Sequence, residues 1–204
     1  MHVAIAGNIG SGKTTLTGLL AKHYNWDPQY EDVDYNPYLN DFYEDMQRWS
    51  FNLQVYFLNS RFKQILDIRD SGRDVVQDHT IYEDANIFAP NLHTMGLMST
   101  RDFDNYKQLF ELMTRLITPP DLLIYLRASV PTLVRQIQQR GRDYERNIRL
   151  DYLQHLNERY EAWISGYEER NLLIVDMDNL DITANPQDLR HIIDLIDSRI
   201  NSLF

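Results

Sequence analysis

The sequence has no cysteine and no long apolar run, and each absence excludes a class of protein. Without cysteine the chain can form neither a disulfide bond nor a thiol active site. No apolar run is long enough to cross a bilayer, so we expect no membrane partner. A predicted core strand begins at Val3, which leaves no room for a signal peptide. These features together predict a cytoplasmic protein.

Positive charge is also scarce, with 20 Lys and Arg against 30 Asp and Glu and a formal net charge of −10. A nucleic-acid-binding protein needs a basic face for the phosphate backbone, so we expect no nucleic-acid partner. Only four of the basic residues are lysines, which leaves sixteen arginines. Five arginines fall in one short stretch: Arg135, Arg140, Arg142, Arg146 and Arg149. Such a cluster in an acidic chain needs a functional explanation.

Residues 7–14 match the phosphate-loop pattern G-x-x-x-x-G-K-[ST] without a mismatch. The apolar run before them predicts a buried strand, and residues 15–22 predict a helix. The glycines let backbone N–H groups turn toward an anion, and the helix dipole favours negative charge there. We expect Lys13 to reach the β- and γ-phosphates of a nucleoside triphosphate and Thr14 to bind Mg²⁺. The nucleotide-binding residues predicted in the loop are Gly7, Asn8, Ile9, Gly10, Ser11, Gly12, Lys13, Thr14 and Thr15.

The length of 204 residues suits a single domain, residues 1–204, and its apolar patterns alternate between strand and helix. Strands are predicted at 3–6, 29–33, 74–78, 121–126 and 172–176. Helices are predicted at 15–22, 38–45, 49–70, 81–89, 100–117, 131–139, 150–168 and 186–203, with a break at Pro90 and a loop over 92–99. This order predicts an α/β fold, a five-stranded parallel sheet flanked by helices. Glu31, Asp78 and the phosphate loop should converge where the strands end.

A phosphate loop alone does not define the reaction. A GTPase should carry an N-K-x-D guanine reader, and none of the four lysines lies in that pattern. A motor ATPase needs a longer chain. A small kinase is the better interpretation, with the arginine-rich stretch at about 135–149 as a lid that closes over the phosphates. A nucleoside-monophosphate kinase and a regulatory module that binds ATP without catalysis remain as alternatives.

Motifs beyond the loop resemble, in order along nearly the whole chain, those of the deoxynucleoside kinase family. Residues 31–33 stand where the family has E-P-V, and residues 49–54 resemble W-S-F-x-x-Q. Residues 78–89 resemble E/D-R-S/T…Y-x-D…I-F-A, and residues 140–145 resemble R-G-R-x-x-E. The sequence looks most like the bacterial deoxyadenosine and deoxyguanosine kinases. The resemblance implies a P-loop kinase fold and an ATP-dependent homodimer that forms deoxynucleoside 5′-monophosphates in purine salvage.

The resemblance also implies catalytic roles. Glu31 would be the general base for the substrate 5′-hydroxyl, although a glutamate in an acidic run is equally typical of a solvated surface. Asp78 would act on Mg²⁺, with Asp176 as a rival because an apolar run also ends there. Arg140 and Arg142 would clamp the transferring phosphoryl group. Cations at a helix C-terminus also favour the helix dipole, and both interpretations of the arginines can hold.

Further residues match positions where the family binds its two ligands. We expect the sugar 3′-hydroxyl at Tyr43 and Glu145, and the base at Gln54, Phe57, Arg61 and Asp84. Glu31, Asp78 and His79 complete the predicted substrate-binding residues. Gln136 and Arg140 should bind the nucleotide from the lid, and we expect the ATP adenine near a loop that includes Asp178, Asn179 and Leu180. Arg61 and Asp84 should lie together beside the base and favour deoxyadenosine, then deoxyguanosine or deoxycytidine, over thymidine.

Two residues depart from the family pattern. Asp32 replaces the proline after Glu31. His79 replaces the arginine that in the family helps hold the catalytic glutamate and the 5′-oxygen. Histidine is shorter than arginine, and we expect it to be neutral at pH 7.

Overall fold

The computed structural model describes residues 1–30, 36–142, 145, 148–168 and 171–201. Its sheet contains β1 (His2–Gly7), β2 (Asp27–Gln29), β3 (Val75–Asp78), β4 (Leu122–Arg127) and β5 (Asn171–Asp176). All pairings are parallel, in the order β2-β3-β1-β4-β5. On the central strand, Ile5 lies opposite Asp78 of β3 and Ile124 of β4. The predicted five-stranded parallel α/β fold is confirmed.

Helices pack on both faces of the sheet. In the described part of the chain they are α1 (Lys13–Tyr24), α2 (Leu39–Glu44), α3 (Met46–Ser71), α4 (Ile81–Glu83), α5 (Ala89–Thr94), α6 (Thr100–Thr114), α7 (Val130–Arg140), α8 (Leu150–Ser165) and α9 (Pro186–Asn201), with a π-helical segment at Asp84–Phe88. Ile5 faces a core that contains Leu16 of α1 and Ile192 of α9. Ala6 faces the opposite core, with Leu58 of α3 and residues of α8. Burial on both faces explains why the strands read as continuous apolar runs.

The predicted break at Pro90 and the loop that was expected from residue 92 are wrong in part. The helix continues through the π-helical segment into α5, which ends at Thr94. Pro90 lies in the first turn of α5, directly after the π-helical segment. Its ring and its missing N–H prevent an ordinary helical hydrogen bond to the turn before it. A π-helical turn also changes the register of the backbone hydrogen bonds just before the proline.

Several predicted boundaries of strands and helices also differ from those in the structure. β2 covers residues 27–29, and the predicted continuation to residue 33 lies outside the described residues from residue 31. α3 begins three residues earlier than predicted, at Met46, because the Asp45 side chain caps it by accepting the Arg48 N–H at 3.0 Å. None of the helices in the described ranges has an apolar stretch of membrane-spanning length.

Candidate active site

The phosphate loop connects β1 to α1 at the carboxyl end of the sheet. Gly10 has a left-handed φ of +85°, and a Cβ there would lie 2.8 Å from Ile137 Cγ1 and 2.9 Å from the Leu133 carbonyl oxygen. The loop therefore needs glycine to pass this close to α7. Lys13 Nζ donates to the carbonyl oxygens of Gly7 at 2.7 Å and Asn8 at 3.2 Å. These bonds hold the ammonium group over the loop, where phosphates would lie.

The other predicted loop residues divide between supporting contacts and the cavity surface. Asn8 Oδ1 accepts the Ile9 N–H at 2.8 Å, and Asn8 Nδ2 donates to the Leu153 carbonyl oxygen at 3.1 Å. Ser11 is fully buried and donates its N–H to the Asn8 carbonyl oxygen at 3.0 Å. Ile9, Gly10, Gly12, Thr14 and Thr15 line cavities, together with Lys13.

The two groups predicted to bind Mg²⁺ lie together. Thr14 Oγ1 donates to Asp78 Oδ2 at 2.6 Å, and Asp78 is 2% exposed at the end of β3. Asp176 ends the edge strand β5 and accepts the Asp178 N–H at 3.0 Å instead. A hydroxyl and a carboxylate are hard oxygen donors of the kind that Mg²⁺ prefers. The position beside the phosphate loop therefore favours Asp78 over Asp176.

Two cavities meet at the phosphate loop. The first is lined by six of the predicted substrate residues, namely Tyr43, Gln54, Phe57, His79, Asp84 and Glu145. The second is lined by the predicted nucleotide-binding residues Gln136, Asp178, Asn179 and Leu180. Both cavities include Gly10, Lys13, Thr14, Arg140 and Arg142. Ligands in the two cavities would therefore meet at the lysine, the threonine and the two arginines.

Arg61 and Asp84 form a buried ion pair, of which Asp84 lines the first cavity and Arg61 does not. Arg61 Nε donates to Asp84 Oδ2 at 3.0 Å, and both side chains are at most 3% exposed. The Arg61 guanidinium carbon lies 5.5 Å from the centre of the Phe57 ring. Gln54 Oε1 is buried and has no hydrogen-bond partner among the described residues. A buried acceptor of this kind is satisfied only when a ligand or a water donates to it.

His79 lies beside this pair, in an unusual backbone conformation for a residue other than glycine, with φ +68°. Its Nε2 lies 3.0 Å from Asp84 Oδ1, and its Nδ1 lies 3.6 Å from Glu83 Oε1. Burial alone would lower the pKa of His79, but the charges of Glu83 and Asp84 outweigh both burial and Arg61, so the pKa is raised. The two carboxylates therefore shift His79 toward its protonated form, in the direction opposite to the sequence-based expectation of a neutral side chain.

Glu83 is a site residue that the sequence interpretation missed. It is fully buried, and its Oε1 accepts the Gly7 N–H at 3.1 Å and the Tyr160 hydroxyl at 2.9 Å. Its Oε2 accepts the Thr80 N–H at 2.7 Å. The pattern T-x-x-E from Thr80 to Glu83 is a capping-box signal that was available in the sequence. That signal predicts a local cap, and nothing local predicts contact with a loop 76 residues away.

The lid arginines contact a predicted sugar-binding residue. Arg140 Nε donates to Glu145 Oε2 at 3.1 Å, and Arg140 Nη2 makes a second bond to Glu145 Oε1. Arg142 Nη1 lies 3.8 Å from Glu145 Oε1, and Glu145 is 5% exposed. Arg140 is also the last residue of α7, and Gly141 follows it with φ +67° as the C-cap. The arginines thus have both positions that the sequence suggests, at a helix C-terminus and at the cavities.

The remaining predicted residues have different outcomes. Asp178 Oδ1 accepts from the Ser129 N–H at 2.8 Å and hydroxyl at 2.9 Å, and the backbone bond lowers the pKa of Asp178. Asp178 therefore anchors the loop that brings Asn179 and Leu180 to the second cavity. Glu31, Asp32 and Arg146 lie outside the described residues. Arg149 pairs with Asp151 on the surface.

A parallel sheet with a phosphate loop after its central strand, and two cavities that meet at this loop, defines a P-loop kinase. The family model described as deoxynucleoside kinase matches residues 3–201. The chain is 41% identical over 201 residues to the deoxyadenosine/deoxycytidine kinase of Bacillus subtilis, covering 98% of this chain and 93% of that protein. It is 36% identical over 198 residues to the deoxyguanosine kinase of the same organism, covering 93% of each.

Solved structures agree with the sequence matches. The deoxyadenosine kinase of M. mycoides with bound dATP aligns with a TM-score of 0.86 at 28% identity, covering 97% of this chain and 100% of that one. The chain therefore belongs to the deoxynucleoside kinase family and is a phosphotransferase that phosphorylates deoxynucleosides with a nucleotide donor. This identification excludes the alternatives of a nucleoside-monophosphate kinase and a non-catalytic module.

Proposed function

We propose that the protein transfers the γ-phosphoryl group of ATP to the 5′-hydroxyl of deoxyadenosine, with deoxyguanosine or deoxycytidine next and thymidine poor. The observation that carries this preference is the buried pair of Arg61 and Asp84 beside the unpartnered Gln54 Oε1. The names of the relatives, a deoxyadenosine/deoxycytidine kinase and a deoxyguanosine kinase, support bases that carry an amino group.

Hydrogen-bond chemistry gives the reason for the preference. Ionised Asp84 can only accept hydrogen bonds, and Arg61 can only donate them. Adenine and cytosine offer an amino donor for Asp84, and Gln54 Oε1 can accept a second proton of such a group. Guanine offers acceptors for Arg61 and a ring N–H for Asp84. Thymine would set its O4 against the carboxylate, an arrangement that should lower kcat/KM at least about tenfold.

The proposed transfer uses residues at the junction of the cavities. Glu31 would accept the proton of the 5′-hydroxyl as that oxygen attacks phosphorus. Lys13, Arg140 and Arg142 would neutralise the charge that develops on the transferring group. When the arginines turn to the phosphates, the Glu145 carboxylate becomes available to the sugar 3′-hydroxyl, which Tyr43 would hold from the other side.

Thr14 and Asp78 would hold Mg²⁺, since their oxygens fit a hard cation and lie 2.6 Å apart beside the phosphate loop. The ion would neutralise phosphate charge when it is bound. Among the described residues there is no group of three or more His, Cys, Asp or Glu side chains suited to a metal. Phosphate oxygens and water would complete the coordination, as in many Mg²⁺ sites of kinases.

An ADP-release assay coupled to NADH oxidation tests this proposal. ADP should be released rapidly when deoxyadenosine is the acceptor, and slowly when dAMP is the acceptor or when no acceptor is present. Replacing ATP by GTP in the same assay, with detection of GDP, tests the donor. A Lys13→Met variant is the matched negative control, because it removes the ammonium group but keeps most of the side-chain volume. ADP release that is equally fast without acceptor would contradict phosphoryl transfer to a nucleoside.

We also propose a cytoplasmic homodimer. The side chains of Leu112 on α6 and Leu116 in the turn after it are 61% and 62% exposed, and a second copy of the chain would remove them from water. Light scattering after size exclusion should give twice the mass of the 24.2 kDa chain. A monomer at micromolar concentration would contradict the dimer without affecting the proposed reaction.

A further inference from the structure

Glu83 is a buried carboxylate that the proposed reaction does not use. It is fully buried and lines neither of the two cavities that the described residues form at the phosphate loop. Its oxygens accept from the Gly7 N–H, the Thr80 N–H and the Tyr160 hydroxyl. Burial, reinforced by the charge of Glu83, raises the pKa of Tyr160, so this hydroxyl remains a donor. Glu83 therefore holds the first glycine of the phosphate loop in place.

His79 connects Glu83 to the pair in the base pocket. Its two ring nitrogens lie 3.6 Å from Glu83 Oε1 and 3.0 Å from Asp84 Oδ1. Asp84 in turn accepts from Arg61 Nε at 3.0 Å. The four side chains are at most 4% exposed. These neighbouring side chains form one buried series from the base pocket to the phosphate loop, which we call the buried relay.

We propose that Glu83 and His79 are positioning residues that couple the deoxynucleoside pocket to the phosphate loop. A base bound against Asp84 orients the phosphate loop through His79 and Glu83, and a nucleotide on the loop orients Asp84 in return, because coupling between two sites is reciprocal. Close packing, the hydrogen bond between His79 and Asp84 and the contact of His79 with Glu83 make these groups move together. This inference rests on the proposed function, since it requires a base at Asp84.

His79→Asn interrupts the buried relay at one end. Its amide nitrogen stands near the place of the imidazole Nδ1, so Glu83 keeps a nearby donor while Asp84 loses one. Asparagine also tolerates the left-handed backbone at this position, where φ is +68°. The substitution therefore removes a side-chain connection with little added backbone strain.

Glu83→Gln interrupts the buried relay at the other end. One carboxylate oxygen becomes an NH₂ group, which must face the N–H of either Gly7 or Thr80, donor against donor. Tyr125→Phe is the matched control. Tyr125 is 1% exposed and donates to Glu161 Oε1 at 2.8 Å, so this variant loses a tyrosine hydrogen bond outside the buried relay.

Isothermal titration calorimetry measures the coupling directly, as the Kd of deoxyadenosine with and without a non-hydrolysable ATP analogue and Mg²⁺. In the wild-type protein and in Tyr125→Phe, the analogue should lower this Kd by about fivefold or more. In His79→Asn and Glu83→Gln the factor should fall below about twofold. Circular dichroism checks folding, and if Glu83→Gln does not fold, His79→Asn decides the test.

Three outcomes would overturn the proposal: no coupling in the wild-type protein, wild-type coupling in His79→Asn, or equal loss of coupling in Tyr125→Phe. Failure of the proposed base preference is a separate result. If thymidine proves to be the better substrate, the same titrations with thymidine still measure the coupling.

Discussion

Removing one member of the Arg61–Asp84 pair should destabilise the protein more than removing both. The two side chains are 2% and 3% exposed and 3.0 Å apart. Asp84→Ala takes the carboxylate away from the buried Arg61 charge, which should lower the free energy of unfolding by about 3–5 kcal/mol. Arg61→Met combined with Asp84→Ala removes both charges, and methionine fills much of the arginine volume. The expected coupling energy between the two sites is about 2–3 kcal/mol.

Urea unfolding of the wild-type protein, both single variants and the double variant gives this coupling energy. The control is the same set of single and double variants at Arg69 and Asp70, which are 2.8 Å apart but 58% and 68% exposed. Their coupling energy should be less than about 1 kcal/mol. Purely additive losses at Arg61 and Asp84 would refute the account of a buried, desolvated pair. The same double variant should raise kcat/KM for thymidine and lower it for deoxyadenosine, because the groups that discriminate between the bases are gone.

Substitutions at four other residues test their proposed roles. Glu31→Gln should lower kcat about 10²–10⁴-fold with little change in substrate affinity, and near-wild-type turnover would remove Glu31 from the mechanism. Arg142→Ala should lower kcat about 10²–10³-fold with a modest change in the KM for ATP. Arg142→Lys should restore little of the lost kcat, since an ammonium group lacks the planar fork of a guanidinium group. A lower Tm with unchanged kcat would leave Arg142 only a structural role. Asp78→Asn should raise the Mg²⁺ concentration for half-maximal rate about 10–100-fold, and an unchanged Mg²⁺ titration would argue against Asp78 as a ligand. The raised pKa of His79 means that the folded protein binds the imidazole proton more tightly than the unfolded chain does. The stabilisation by this proton is complete below about pH 6.5 and is lost as the pH rises through the raised pKa. Tm should therefore fall above about pH 6.5, less steeply in His79→Asn, and equal slopes of Tm against pH in the two proteins would contradict the shift.

Local patterns were enough to predict the fold. Each core strand is a short apolar run, and the spacing of glycines and Lys13 in residues 7–14 is tied to a strand before it and a helix after it. Alternation of strands and helices then restricts the sheet to parallel pairing. Local patterns failed at Pro90, because a proline in the first turn of a helix and a proline that ends a helix look alike in sequence.

The candidate site was predictable only where a motif carries its own chemistry. Thr14 and Asp78 could be placed together because both follow strands at the same edge of the sheet. The contact of Glu83 with Gly7 could not, since it joins residues far apart in sequence. The raised pKa of His79 could not be predicted for the same reason, because it depends on two carboxylates whose orientation only the folded structure gives.

A single competition experiment tests the central claim most directly. Equal concentrations of deoxyadenosine, deoxyguanosine, deoxycytidine and thymidine are incubated with the protein and limiting ATP, and the monophosphates are quantified by liquid chromatography and mass spectrometry. The product ratios equal the ratios of kcat/KM, so dAMP should be the main product and dTMP should be no more than about a tenth of it. A mixture in which dTMP equals or exceeds dAMP would contradict the assignment of Arg61, Asp84 and Gln54 as the residues that select the base.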